Sequence, residues 1–191
     1  MSEPRNSTHE KILELAEAYF SEKGYTAGRL RDIADEIGIR HTGVYYYIQS
    51  KEHLYVEVIE RSMARHREGM QAALDAAGPD IRACMHAIAE WLISQPPVNL
   101  ARLQQSDFPA LGEENAEHLA ALIDDAMHQP LVEVLSDAIE AGRLSVPDAQ
   151  LAASTYVCLI EMVHSRSSIR GEKSRVCGDL IEMLLMGWLA R

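Results

Sequence analysis

The sequence lacks the features of several protein classes. No segment of its 191 residues approaches the roughly 18 to 20 apolar residues that a membrane span needs, and the first residues, MSEPRNSTHEK, are too polar for a signal peptide. Cysteine occurs only three times, at Cys84, Cys158 and Cys177, so neither a disulfide framework nor a CxxC metal site is indicated. We therefore expect a cytoplasmic protein with reduced thiols.

Catalytic motifs are missing as well. The chain contains no GxSxG, no phosphate loop and no HExxH, so we expect neither an enzyme nor a bound cofactor. Two segments, Asp125–His128 and Glu161–His164, place a carboxylate and a histidine three residues apart, as in di-iron carboxylate bundles. Because such bundles need glutamates from two further helices, a metal-responsive regulator and, well behind it, a helical di-iron enzyme remain only as alternatives.

The alternation typical of β-strands is also absent, whereas apolar residues recur at helical spacing along most of the chain. The pattern predicts an all-α protein of about nine helices. A long helix should begin at Lys51 and end at Gly78-Pro79, and Pro130 should kink or split a helical stretch over 113–141. We expect a first domain over residues 1–54 and a second over 55–191.

Positive charge is scarce, with 18 Lys and Arg against 29 Asp and Glu, and a net charge of −11 argues against a nucleic-acid binder. The distribution weakens this objection. Residues 1–67 carry ten cationic and eleven acidic side chains, whereas residues 68–191 carry eight and eighteen. The first part is therefore nearly neutral, and a local positive face is compatible with the sequence.

What the sequence does contain is a pattern of two short helices joined by a tight turn over residues 26–51. Ile33, Ala34 and Ile37 give the first helix an apolar face, and Gly38 should end it in a left-handed conformation. In a second helix from about His41, Val44 lies four residues before Ile48 and should face the first helix. This pattern is typical of a DNA-binding helix-turn-helix.

These residues resemble the N-terminal domain of TetR-type transcriptional repressors over about residues 8–57. The resemblance rests on five short matches that follow an apolar helix: Gly24-Tyr25, Ile33-Ala34, Gly38-Ile39, Tyr45-Tyr46 and Ser50-Lys51-Glu52. Gly28-Arg29 stands where the family often has Thr-Ser, so we expect glycine as a weak N-cap. Arg40 stands where a serine is common, and Ile48 replaces an aromatic residue.

The second helix should place its N-terminal residues in the major groove, while tyrosine hydroxyls and Lys51 bind phosphates. The predicted DNA-binding residues are Arg29, Arg40, His41, Thr42, Gly43, Tyr45, Tyr46, Tyr47 and Lys51. The resemblance, rather than any spacing, implies a small-molecule effector pocket in the second domain. Large apolar and polar residues are its candidates: Met63, His66, Met70, Met85, Trp91, Phe108, Met127, His128, Tyr156, Ile160 and His164.

The last two predicted helices, over about Asp148–Ser168 and Lys173–Ala190, are more apolar than one buried stripe requires, which favours a homodimer formed as a four-helix bundle. The predicted interface residues are Leu159, Val163, Leu180, Leu184 and Trp188. The resemblance then implies a ligand-responsive transcriptional repressor. It would bind a pseudo-palindromic double-stranded DNA operator as a homodimer and leave it when a small-molecule effector binds.

Overall fold

Helices account for the regular secondary structure of this protein, whose computed structural model describes residues 3–166 and 171–189. Within those residues nine α-helices of four or more residues occur, together with the single turn α6, which confirms the predicted all-α class of about nine helices. One isolated bridge joins Leu144 to Leu189. The helices are α1 (Glu3–Ala27), α2 (Leu30–Ile37), α3 (His41–Val44), α4 (Lys51–Ala77), α5 (Ile81–Ser94), α6 (Leu100–Arg102), α7 (Glu113–Ile123), α8 (Gln129–Glu140), α9 (Ala149–Ser165) and α10 (Lys173–Trp188). The ends predicted near Ser168 and Ala190 lie outside the described residues.

Gly38 ends α2 as predicted. Its φ of 77° and ψ of 27° are left-handed, which costs glycine little because it has no Cβ. The N–H of Ile39 donates to Ala34 O at 3.0 Å, and that of Gly38 donates to Asp35 O at 3.2 Å. These two bonds form a Schellman motif, which satisfies carbonyl groups at the end of the helix and turns the chain towards α3.

The predicted glycine cap of α2 is wrong. The N-cap is Arg29, whose backbone is extended and whose side chain makes no capping bond. Instead, the hydroxyl of Tyr19 accepts a hydrogen bond from the Arg29 N–H at 3.3 Å and donates one to the Asp32 carboxylate. A side chain of α1 therefore stabilises the start of α2. Gly28 is buried, and a Cβ there would approach the Phe20 ring to 2.7 Å.

Two prolines, Pro109 and Pro130, each follow a π-helical turn. Pro130 splits the predicted helix over 113–141 into α7 and α8, with the π turn Asp124–His128 between them. The turn Leu103–Asp107 likewise precedes Pro109, which lies in the 3₁₀ turn Phe108–Ala110. Proline offers no N–H to the helical ladder and clashes with the preceding turn, so a widened turn before it relieves the conflict.

The chain forms two units, which are described separately. The helix-turn-helix unit consists of Met1–Ser62 and Leu100–Ala120, and the second unit of Met63–Asn99 and Ala121–Arg191. The functional boundary predicted between residues 54 and 55 stays a prediction. The first unit is centred on Phe20 and Tyr55, whose rings meet edge to face at 5.1 Å. In the second unit, α5, α8, α9 and α10 pack together around apolar side chains such as Met85, Ile160 and Ile181.

None of the described helices combines the length and the apolar character that crossing a membrane requires.

Candidate nucleic-acid interface and effector region

Helix α3 packs against α2, and an apolar side chain is buried both in α3 and in the turn that follows it. Val44 and Ile48 are both buried, as are Ile33 and Ala34 on the facing helix. Burying each large aliphatic side chain is worth about 1.5 to 3 kcal/mol. After Val44 the chain continues in tight turns, with the Tyr47 N–H donating to Val44 O at 2.9 Å. The outer side of this short segment therefore has a defined orientation.

The outer side carries most of the predicted DNA-binding residues. Arg29, Arg40 and Thr42 are exposed, as are Tyr45 and Tyr46, at 51% and 63% of their surface. Gly43, Tyr47 and Lys51 are half-buried, and the side chain of His41 lies outside the described part. The rings of Tyr46 and Tyr47 meet edge to face at 5.1 Å. The predicted residues whose side chains are described are thus exposed or half-buried in the helix-turn-helix unit, while their contacts with DNA stay predictions.

The charge on this surface differs from that of the whole chain. Residues 38–51 contain Arg40 and Lys51 but neither aspartate nor glutamate, although the chain has a net charge of −11. Arg31, by contrast, lies 3.7 Å from Asp35 on an exposed part of α2. The segment that would meet phosphates is therefore free of acidic side chains, as an electrostatic footprint for DNA requires.

Lys51 is positioned by contacts on its own unit. Its ammonium lies 4.3 Å from the centre of the Tyr25 ring and 3.5 Å from Thr26 O. Burial lowers the pKa of Lys51, and the charge of Asp107 acts in the opposite direction. Ser50 caps the helix that Lys51 begins, its hydroxyl accepting from the His53 N–H at 3.0 Å. The cation is therefore fixed at the start of α4.

The predicted effector residues divide into three groups. Trp91 and His128 are half-buried in the second unit. Phe108 belongs to the helix-turn-helix unit, apart from the other candidates, and its role in an effector pocket stays a prediction. A single helical spacing could not reveal to which unit this residue belongs. The remaining predicted residues are buried in the second unit: Met63, His66, Met70, Met85, Met127, Tyr156, Ile160 and His164.

A buried polar group joins α9 to the end of α5. His164 Nε2 lies 2.7 Å from Gln95 O, and Lys173 Nζ lies 3.1 Å from His164 Nδ1. Glu161 accepts from the Val98 N–H at 2.8 Å through Oε2, while Oε1 has no hydrogen-bond partner among the described residues. Burial raises the pKa of Glu161 to about 8 and lowers that of His164. At neutral pH this group offers a protonated carboxyl and a neutral imidazole.

Sequence reasoning assigned neither Glu161 nor Lys173 to the effector region. Glu161 attracted notice only through its spacing to His164. A carboxyl on an apolar helix face is a signal that could have marked it, because such a group needs partners when it is buried. Its partner, the Val98 N–H, lies 63 residues away in the chain, and only the fold brings it there.

An open groove in the second unit lies between α4 and the α7–α8 region. Its volume is about 700 Å³, and Arg67 in it pairs with Asp125. None of the residues predicted for the effector pocket lines it, and most of its charged side chains are acidic. The lining comprises Arg67, Glu68, Gln71, Ala72, Asp75, Asp125, Gln129, Pro130 and Glu133.

The two carboxylate–histidine pairs make other contacts within the described residues. His128 Nδ1 lies 3.0 Å from Asp124 rather than bonding to Asp125, and Glu161 and His164 make the contacts described above. Across residues 3–166 and 171–189 no group of three or more His, Cys, Asp or Glu side chains is arranged to hold a metal ion. These observations do not favour the metal-dependent alternatives.

Apolar side chains remain exposed on α9 and α10. Met183 and Met186 are exposed over 67% and 77% of their surface, and Leu151 and Met162 are exposed as well. Val163, predicted at the interface, is only 2% exposed and packs inside its own unit, so that assignment is wrong. The other predicted residues are half-buried beside the exposed ones. We call the whole set the α9/α10 apolar face: Leu151, Leu159, Met162, Leu180, Met183, Leu184, Met186 and Trp188.

Comparison with known proteins accounts for both units. A model of the N-terminal domain of bacterial regulatory proteins of the tetR family matches residues 12–58, and one of the C-terminal domain of AefR-like transcriptional repressors matches residues 80–179. The HTH-type transcriptional repressor NicS of Pseudomonas putida is 29% identical over 139 residues. The aligned part is 71% of this chain but 63% of NicS, so less than two thirds of that protein is matched.

Solved structures share the fold along nearly the whole chain. A TetR-family transcriptional regulator from Agrobacterium tumefaciens has a TM-score of 0.79 at 20% identity, covering 97% of this chain and all of that one. AibR, solved in complex with isovaleryl coenzyme A and operator DNA, has a TM-score of 0.75 at 19% identity and covers 93% and 97% of the two chains. Both family models match, and the second one covers more than half of this chain. The chain therefore belongs to the TetR family of bacterial regulatory proteins.

Proposed function

We propose that this protein is an effector-responsive transcriptional repressor that binds a pseudo-palindromic operator as a homodimer. The observation that carries the proposal is the surface of α3, which is held by buried anchors and exposes Arg40, Thr42 and Tyr46 in a segment free of acidic side chains. Its N-terminal residues would read base edges in the major groove. A repressor of bacterial operators would act in the cytoplasm.

The proposed contacts divide by role. Arg40 and Thr42 lie at the start of α3, where a reading helix meets base edges, and we assign them sequence readout. Lys51 and the tyrosine hydroxyls would bind phosphate oxygens, which positions the unit without reading sequence. Because few cations lie on this surface, one copy would bind weakly. Two linked copies would gain affinity through effective concentration.

The α9/α10 apolar face supports the homodimer. A methionine or leucine side chain contributes about 1.5 to 3 kcal/mol when it moves from water into a packed interface, and several such side chains lie together here. Two copies of a helix pair related by a twofold axis form a four-helix bundle whose contacts are self-complementary. This arrangement would supply the two reading helices that a pseudo-palindrome requires.

The effector site is proposed in the second unit, around the buried group of Glu161, His164 and Lys173. A small molecule with an apolar body and one hydrogen-bonding group fits this chemistry, because the surrounding side chains are mostly apolar. The AibR neighbour was solved with an acyl-coenzyme A, so acyl-coenzyme A thioesters form the first panel to screen. Binding would lower operator affinity only to the extent that the effector prefers the conformation that does not bind DNA.

The proposal is tested by titrating the purified protein onto duplexes enriched from a random-sequence DNA library. We expect salt-dependent binding with two subunits per duplex, and weaker binding once a stabilising ligand from a thermal-shift screen is added. A protein that enriches no sequence and binds duplex DNA without salt dependence would exclude the proposed function.

A further inference from the structure

Asp107 is a buried carboxylate in the helix-turn-helix unit. It is not one of the predicted DNA-binding residues, whose exposed side chains we call the DNA-reading surface. It is 1% exposed and ends the π turn Leu103–Asp107. Its Oδ1 accepts from the Tyr25 N–H at 3.0 Å, and its Oδ2 accepts from the Tyr55 hydroxyl at 3.0 Å. Arg102 Nε lies 3.5 Å from Oδ2. A carboxylate buried among so many donors joins three distant parts of the chain, which ordinary core packing does not require.

Arg102 binds the end of α1 beside this carboxylate. Its guanidinium donates to Phe20 O at 2.9 Å and to Glu22 O at 3.3 Å, carbonyl groups of the last turns of α1. Helix α1 is kinked at Gly24, where φ is 79° and ψ is 175°. A Cβ at Gly24 would lie 2.9 Å from Arg102 Cδ and 3.0 Å from Asp107 Oδ1. The kink of α1 at Gly24 is therefore packed directly against the Arg102–Asp107 pair.

The residues that follow this kink contact the proposed phosphate-binding lysine. Tyr25, whose N–H is bound by Asp107, places its ring 4.3 Å below the Lys51 ammonium. Thr26 O lies 3.5 Å from the same ammonium, and the Thr26 hydroxyl donates to Ser106 O at 3.3 Å. The charge of Asp107 also acts on Lys51 directly by favouring its protonated form. Both residues that contact the Lys51 ammonium, Tyr25 and Thr26, are therefore hydrogen-bonded to the segment 102–107.

We propose that Asp107 is a positioning residue for DNA binding, fixing the Tyr25 ring and through it the Lys51 ammonium on the DNA-reading surface. The inference rests on the proposed function and adds a residue that does not itself touch DNA.

The test uses the full chain and a fluorescently labelled mixed-sequence DNA duplex, because a phosphate contact does not depend on operator sequence. Asp107→Asn keeps the size of the side chain and removes its charge, and we expect it to weaken DNA binding roughly five- to ten-fold, as expected for a displaced charge-assisted bond. Lys51→Ala should weaken binding similarly and lower the salt dependence by about one counterion. The double variant should bind no more weakly than Lys51→Ala within about two-fold, because both changes remove the same contact.

Tyr55→Phe is the matched control. It removes one hydrogen bond from the same carboxylate but leaves the bond to Tyr25 intact, so it should lower the melting temperature while DNA affinity and salt dependence stay unchanged. Tyr25→Leu tests the contact between the Tyr25 ring and Lys51, because it keeps the backbone hydrogen bond to Asp107 and removes the ring below the ammonium. We expect Tyr25→Leu to show the same loss of DNA affinity. This test does not depend on whether the Asp107→Asn variant folds.

Several results would overturn the proposal. Additive effects of Asp107→Asn and Lys51→Ala, or an equal loss of affinity in Tyr55→Phe, would show that Asp107 acts only through stability. An unchanged DNA affinity in Tyr25→Leu would show that the Tyr25 ring does not position Lys51. An unchanged DNA affinity in Lys51→Ala would show that Lys51 does not contact DNA. Failure of the wild-type protein to bind any duplex is a different result, because it excludes the proposed function itself.

Discussion

The buried carboxyl of Glu161 predicts a specific dependence of stability on pH. Its pKa is raised to about 8 in the folded protein, mainly by burial, against 4.5 in the reference state. Between these values the folded state holds a proton that the unfolded state has lost. Raising the pH through this range therefore destabilises the protein, by about 1.4 kcal/mol for each pH unit.

The window from about pH 6.5 to pH 8 isolates this group best. The pKa of the neighbouring His164 is lowered by burial from 6.5, so its contribution to the pH dependence lies below that window. Lys173, the other charged group of the cluster, lies 3.1 Å from His164 and favours the ionised form of Glu161. Over 1.5 pH units the expected loss is about 2 kcal/mol in the free energy of unfolding, or roughly 4 to 8 °C in melting temperature.

The assay is urea unfolding of wild type and Glu161→Gln across this window. Glutamine keeps an acceptor for the Val98 N–H but cannot ionise, so we expect the pH dependence to flatten in the variant. Glu140→Gln, which changes an exposed glutamate of α8, should follow the wild-type curve. If the stability of Glu161→Gln falls with pH as steeply as that of the wild type, the buried carboxyl does not cause the pH dependence. Our description of this cluster would then be wrong.

Three further predictions concern packing, assembly and phosphate contacts. Gly69→Ala should destabilise the protein by about 1 to 3 kcal/mol in thermal unfolding, because the added Cβ would lie 2.0 Å from the Trp91 ring. The control is Gly178→Ala, which also lies in a helix. Its added Cβ would have its nearest neighbour at 3.6 Å, so this variant should be neutral or stabilising. Met183→Glu should place charge in the α9/α10 apolar face and yield monomers in light scattering at micromolar concentration; an unchanged mass would place the interface elsewhere. Tyr46→Phe should weaken specific and non-specific DNA binding by the same factor, and a change confined to one operator sequence would contradict its phosphate role.

Local patterns were sufficient to predict the helix-turn-helix. The spacing of Ile33, Val44 and Ile48 and the glycine at position 38 each act within a few residues, and the structure has them in the predicted places. Pro130 split its helix for the same reason, since the conflict between a proline and the preceding turn is local. Such features depend on backbone geometry that neighbouring residues alone determine.

Features that depend on distant contacts were not predicted. Tyr25 and Asp107 are 82 residues apart, and nothing in either neighbourhood signals their hydrogen bond. Val163 has the same helical spacing as an interface residue, yet it faces the interior because of how α9 packs in its unit. The α2 cap was also missed, because the hydroxyl that satisfies it belongs to Tyr19 of another helix. In each case the sequence shows the residue type, while the tertiary fold decides its partner.

The central claim, that α3 reads operator DNA as part of a dimer, is tested most directly by selecting duplexes from a random library with wild type and with Thr42→Ala. We expect the wild-type protein to enrich a sequence with twofold symmetry and half-sites about one helical turn apart, or a multiple of it. Thr42→Ala should enrich a sequence that differs at symmetry-related positions in both half-sites. Enrichment of the same sequence by both proteins would remove Thr42 from the base-reading residues, and the absence of any symmetric sequence would contradict the account.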